Sequence, residues 1–155
     1  MSRQSMNWRF VDGTLLIVHG LIAPLPTEWD EFIAEAMAAG PRMQQVLVFS
    51  DVGLSPLQRR QVADSVAKAG TRAVAVVCFS RLARTIVTGL GWMTHIHRAF
   101  APTALGEAFE FLQSTPQQRS ELLRAARQFA IDLSHAELAP YLEEPQQDRV
   151  RRVAR

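Results

Sequence analysis

Residues 45–50, Gln-Val-Leu-Val-Phe-Ser, form an almost continuous apolar and β-branched run. It is too short for a membrane span and lacks the alternation of a half-exposed strand, so it reads as a strand buried on both faces. Residues 73–79, Ala-Val-Ala-Val-Val-Cys-Phe, make a second and clearer strand. Between them Ser55-Pro56-Leu57-Gln58 offers an N-cap, a proline at the first helical position and a capping-box glutamine, and Gly70 closes the helix. Strand, helix, strand in that order demands a crossover connection, which commits the chain to an α/β architecture with helices covering a sheet.

The remaining segments extend the same pattern. Trp8, Phe10 and the run Leu15-Leu16-Ile17-Val18 flank Asp12-Gly13, a two-residue hairpin signal because both turn positions need φ > 0. Thr27, with Asp30 at the reciprocal position, is expected to cap a helix carrying Trp29, Phe32, Ile33, Ala36 and Met37 on one face, and Gly40-Pro41 ends it. Ser80 opens a third helix with Leu82, Ile86, Leu90 and Met93 on its apolar side. Residues 95–100 read as a fifth strand, and Thr103 starts a helix with Leu105, Ala108, Phe109 and Leu112 at core spacing. Thr115-Pro116-Gln117-Gln118 begins a last helix bearing Leu122, Leu123, Ala126, Phe129, Ala130 and Leu133. The expected fold is α/β: a mixed sheet of about five strands led by a β-hairpin, helices on the sheet faces, and an extra C-terminal helix. Residues 1–142 form one domain, and residues 143–155 a basic, extended tail.

At 155 residues the chain is long enough for one domain to bury a continuous core unaided. The single cysteine, Cys78, lies in an apolar run, so it reads as a small buried hydrophobe suited to a reducing cytoplasm. The first nine residues do not resemble a signal peptide, and no run approaches the roughly 20 apolar residues of a membrane span. A cytoplasmic protein without a transmembrane segment is expected. Net charge is +2, with Lys68 the only lysine. Arg149, Arg151, Arg152 and Arg155 crowd the end, but with little aromatic interleaving they are a weak nucleic-acid signal, and a solubilising terminus is the plainer reading.

No Gly-x-Ser-x-Gly elbow and no Gly-x-x-x-x-Gly-Lys-Ser/Thr loop occurs, and Pro56 follows Ser55 where a free oxyanion-hole N–H would be needed. Neither enzyme activity nor a cofactor is expected. His95 and His97 would share one strand face and present two metal ligands, but no third ligand is evident. With His19 and His135 also isolated, satisfied or exposed histidines are expected and no metal. The suggestive cluster lies where two parallel strands end together. Asp51 and Ser55 precede a helix bearing Arg59 and Arg60, and Ser80 precedes one bearing Arg81 and Arg84. Arginine in a first helical turn opposes the macrodipole by ~0.3–1 kcal/mol, a tension that a bound anion or acidic partner surface would relieve. The plain alternative is that the serines are caps and the arginines a solvated face. Trp92 and Met93 could leave an apolar patch. The last helix could dock on the core or pair with a second copy in a homodimer.

The Asp12-Gly13 hairpin, the helix around Trp29 to Met37, the strand from Val46 into Asp51 to Arg60, and the strand and helix from Ala73 to Leu90 together resemble a SpoIIAA-like domain of the STAS/Sec14-type superfamily. The resemblance rests on element order. It implies a non-enzymatic regulatory or scaffolding domain acting through a protein partner, as in bacterial anti-sigma-antagonist signalling, with Ser55 at the place of that family's phosphorylatable serine. The family's Asp-Ser-Ser/Thr-Gly pattern is absent here. The alternative is a domain binding a small molecule, phosphate or lipid, or a weak enzyme, at the same strand ends. A partner-binding module would present an extended patch, an enzyme a cleft holding a perturbed Asp51 or histidine. Lipid binding would require an apolar cavity that a chain of this length barely accommodates.

Overall fold

The computed structural model describes residues 3–143, the side chains of residues 89–94 excepted. The expected basic tail after residue 143 and the apolar patch at Trp92 and Met93 lie outside what is described. The hairpin strands are β1 (Met6–Val11) and β2 (Thr14–His19). They are followed by α1 (Pro26–Ala39), β3 (Gln45–Phe49), α2 (Pro56–Ala69), β4 (Ala73–Val77), α3 (Arg81–Thr94), β5 (His97–Phe100), α4 (Leu105–Phe111) and α5 (Pro116–Asp132). The sheet is five-stranded in the order β1-β2-β3-β4-β5, antiparallel at β1-β2 and parallel thereafter. Asp12 and Gly13 take φ of 45° and 83°, the left-handed pair that a tight hairpin turn requires.

The strand order determines where the helices go. Because β2 to β5 are added one after another in the same direction, right-handed crossovers put α1, α2 and α3 all on one face of the sheet. The opposite face is left to α4 and α5. Period-2 alternation then divides each strand between two cores. Leu16, Val18, Leu47, Phe49, Ala75 and Val77 pack with Phe109, Leu112, Leu122 and Ala126 of α4 and α5. Leu15, Ile17, Val46 and Val74 pack with Trp29, Phe32 and Ala36 of α1 and Val66 of α2. All six residues of β2 are buried, as befits a strand covered on both faces.

Both proline-led capping boxes form. Ser55 accepts from the Gln58 N–H at 3.1 Å, and Thr115 from the Gln118 N–H at 3.2 Å. Gly70 ends α2 at φ 66°, as expected. The start of α1 differs from expectation. Its N-cap is Leu25, with Pro26 first in the helix, so Thr27 lies inside it and caps nothing. The Leu25 N–H instead donates to the Ser5 hydroxyl at 2.9 Å, and Glu28 accepts from the Gln4 N–H (2.5 Å), the Ser5 N–H (2.9 Å) and the Ser5 hydroxyl. The cap comes from the segment leading into β1, about 20 residues away, which local spacing does not reveal.

Two further boundaries shift. Strand β5 starts at His97, because α3 continues to Thr94 and His95 turns the chain with φ 62°. His95 and His97 therefore do not share a strand face. Thr103 sits in a 3-10 turn, Pro102–Ala104, and α4 begins at Leu105 without a side-chain cap.

Candidate functional site

On the α1–α3 side of the sheet, residues of neighbouring strands line up in rows. The register aligns Leu15, Val46 and Val74 with His97, and next Ile17 with Val48 and Val76. Continuing one step of the alternation toward the carboxyl ends of the strands brings His19, Ser50 and Cys78 into a third row. Apart from His97 at the β5 edge of the first row, the face is thus apolar until its final row, which is polar.

The helices do not close over this face. A cavity of about 420 Å3 lies between the sheet and α1, α2 and α3, with Trp29, Phe32, Val62, Leu82 and Ile86 among its walls. It explains why Val48 and Val76, in the middle of the two central strands, stay only half-buried. Leu82 and Ile86 on α3 are 70% and 52% exposed, which places them at the rim. Across the cavity, Trp29 is held by an edge-on contact with Phe32 at 5.3 Å and by donation from its Nε1 to Gln61 Oε1 at 2.8 Å.

The polar row is electrically neutral at its inner end. Burial lowers the His19 pKa to about 4, so its imidazole is uncharged at neutral pH. Burial pushes the Cys78 thiol up to about 12, with Asp51 acting in the same direction and Arg84 opposing. His97, at the other end of the cavity, is also lowered by burial. Among the described residues that line the cavity, charge enters only at the exposed Asp51 and Arg59. The His19 Nδ1 is buried and has no hydrogen-bond partner among the described residues. Such a group costs ~1–3 kcal/mol in a folded protein. His135 has the same condition on the opposite face, against the Phe79 ring at 5.8 Å. The sequence led to satisfied or exposed histidines; in the structure His19 and His135 are buried, and the Nδ1 of each has no hydrogen-bond partner among the described residues.

Of the strand-end residues singled out from the sequence, Asp51 and Ser80 are in contact. The Ser80 N–H donates to Asp51 Oδ1 at 2.9 Å, joining the two loops. The Ser80 hydroxyl accepts from the Ala83 N–H at 3.3 Å, and Arg84 Nη1 donates to the carbonyls of Cys78 (2.7 Å) and Phe79 (2.9 Å). Asp51 is thus itself the anion at the start of α3, and Arg84 stiffens the β4 exit. Ser55, Arg59, Arg60 and Arg81 are exposed, and Arg59 also borders the cavity. His19 was missed as a site residue. Its signal was the alternation Leu15, Ile17, His19, but only the register shows that the alternation ends beside Ser50 and Cys78.

No family model, no curated protein and no solved structure matches this chain. Its chemistry must be read from the geometry. Among the described residues no group of three or more His, Cys, Asp and Glu side chains could hold a metal ion, and no helix is long and apolar enough to cross a membrane. Ser50 Oγ accepts from the Val52 N–H at 3.1 Å, and His19 makes no hydrogen bond to Ser50 or Cys78. The arrangement offers apolar burial with hydrogen bonding at one end, and no joined nucleophile and base.

Proposed function

We propose that this chain is a non-enzymatic binding domain for a small apolar or amphipathic ligand held between the sheet and α1–α3. The observation that carries the reading is the cavity of about 420 Å3 over Val48 and Val76. It falls within the ~300–1,000 Å3 of small-molecule sites, and its walls are apolar apart from a few polar groups, most of them toward the His19 end with His97 at the other. Each methylene buried there would contribute ~0.8 kcal/mol, enough for a medium-length chain to bind without a charged anchor. The hairpin-led parallel sheet supports the SpoIIAA-like resemblance, and the buried, unpaired Cys78 supports a cytoplasmic setting.

Val76→Trp tests it by filling the cavity from the sheet side. The variant is expected to bind the uncharged dye N-phenyl-1-naphthylamine at least 10-fold more weakly than the wild type in a fluorescence titration, with thermal stability retained. Equal affinity in the two proteins, or no dye binding by either, would refute the reading.

A second reading, regulation through a protein partner at the strand ends, is favoured by the exposed Arg59, Arg60 and Arg81 beside Leu57 and Leu82, which are 62% and 70% exposed. Ser55 phosphorylation belongs to this reading. Because Arg84 is committed to two carbonyls, the informative variant is Arg59→Glu with Arg81→Glu. It should release a discrete partner that the wild type retains in affinity capture, and equal retention by both counts against the reading.

A further inference from the structure

Resting on the cavity reading above, the geometry points to an uncharged amphiphile as the ligand class: an aliphatic body along the Val48 and Val76 rows, with a hydroxyl or comparable neutral hydrogen-bonding head at His19. The cavity walls account for the body. Cys78 lies four residue steps beyond Val74 along the β4 direction, so the three rows span about 13 Å, room for an extended medium-length chain. The head is called for by His19 itself. His19 is among the residues lining the cavity, is 4% exposed, and keeps a buried Nδ1 without a hydrogen-bond partner among the described residues. A neutral imidazole has one donor and one acceptor nitrogen, and a hydroxyl can serve either.

A charged head is disfavoured at the same place. Among the described residues no cation lines the inner end of the polar row, where Ser50 and the protonated Cys78 thiol accompany His19, and the nearby Arg84 guanidinium is committed to the Cys78 and Phe79 carbonyls. The charged groups bordering the cavity, Asp51 and Arg59, are exposed and of opposite sign, so an ion carried in to His19 would lose water without gaining a partner.

The test compares 1-decanol with decanoate at neutral pH, each displacing N-phenyl-1-naphthylamine, in the wild type, His19→Leu and His19→Gln. The wild type is expected to bind 1-decanol at least 10-fold more tightly than decanoate. His19→Leu should lose about 10-fold in 1-decanol affinity relative to its own affinity for the dye, and His19→Gln, which restores a hydrogen-bonding group, should recover most of that ratio. A wild-type preference for decanoate, or a ratio of 1-decanol to dye affinity unchanged in His19→Leu, overturns the assignment of the head while leaving the cavity reading intact. Failure of the wild type to bind the dye overturns both. Should His19→Leu not fold, the ratio of 1-decanol to decanoate affinity in the wild type decides alone.

Discussion

Between pH 7 and pH 4 the chain is expected to lose roughly 3 kcal/mol of unfolding free energy, most of it through His19. In the unfolded chain the imidazole titrates near its ordinary value of 6.5, whereas in the folded protein burial lowers it to about 4. The unfolded state therefore binds a proton that the folded state refuses throughout that window. Stability is complete above pH 6.5 and drains away as pH falls toward 4. His97, lowered by the same cause, adds to the loss in the same direction. Urea unfolding of the wild type and His19→Gln at a series of pH values checks this. The variant should show a much shallower slope between pH 6.5 and 4, and parallel curves would mean that another group governs the acid sensitivity.

Removing the Glu28 carboxylate is the second large effect. Glu28→Ala is expected to lower stability by about 3 kcal/mol, equivalent to a fall of roughly 6–12 °C in Tm. Burial alone would raise the Glu28 pKa, but hydrogen bonds from the Ser5 hydroxyl and the Gln4 and Ser5 backbone amides hold it below its ordinary value. Ser5 is fully buried, so without the carboxylate its N–H and hydroxyl lose an acceptor that water cannot replace. The carboxylate also lies in the first turn of α1, where the helix dipole favours a negative charge. Glu28→Gln keeps an acceptor and should lose about half as much. Because the folded pKa is lowered, this contribution is present above the ordinary value of 4.5 and is lost as pH falls below it through the folded pKa, overlapping only the acid end of the His19 window. Thermal unfolding by circular dichroism at pH 7 measures it, and a loss under 1 kcal/mol would show that the carboxylate is dispensable.

The two effects divide the molecule according to how its information is stored. The Asp12-Gly13 turn, the Ser55 and Thr115 capping boxes and the Gly70 stop were all legible, because each is made by residues within a few positions of one another. The cap of α1 was not legible, since its acceptor is the Ser5 hydroxyl, brought up by the segment that leads into β1. The extent of β5 was missed because His95 takes a left-handed φ of 62°, a turn after α3 that delays the strand to His97. Of the candidate site, Asp51 and Ser80 were placed together correctly by assuming parallel neighbours, and their hydrogen bond follows from that topology. The cavity was not anticipated. Its existence depends on how far α3 stands from Val48 and Val76, a distance that no periodicity encodes.

By itself the sequence determined the hairpin-led α/β order, the two apolar faces of the central strands and the capped helices between them, because local hydrogen bonding and period-2 burial are written in adjacent residues. Tertiary structure alone decided that α1, α2 and α3 share one face, that they leave about 420 Å3 uncovered there, and that His19 ends an apolar row beside Ser50 and Cys78. Those outcomes follow from strand register and interlayer packing, which join residues far apart in the chain.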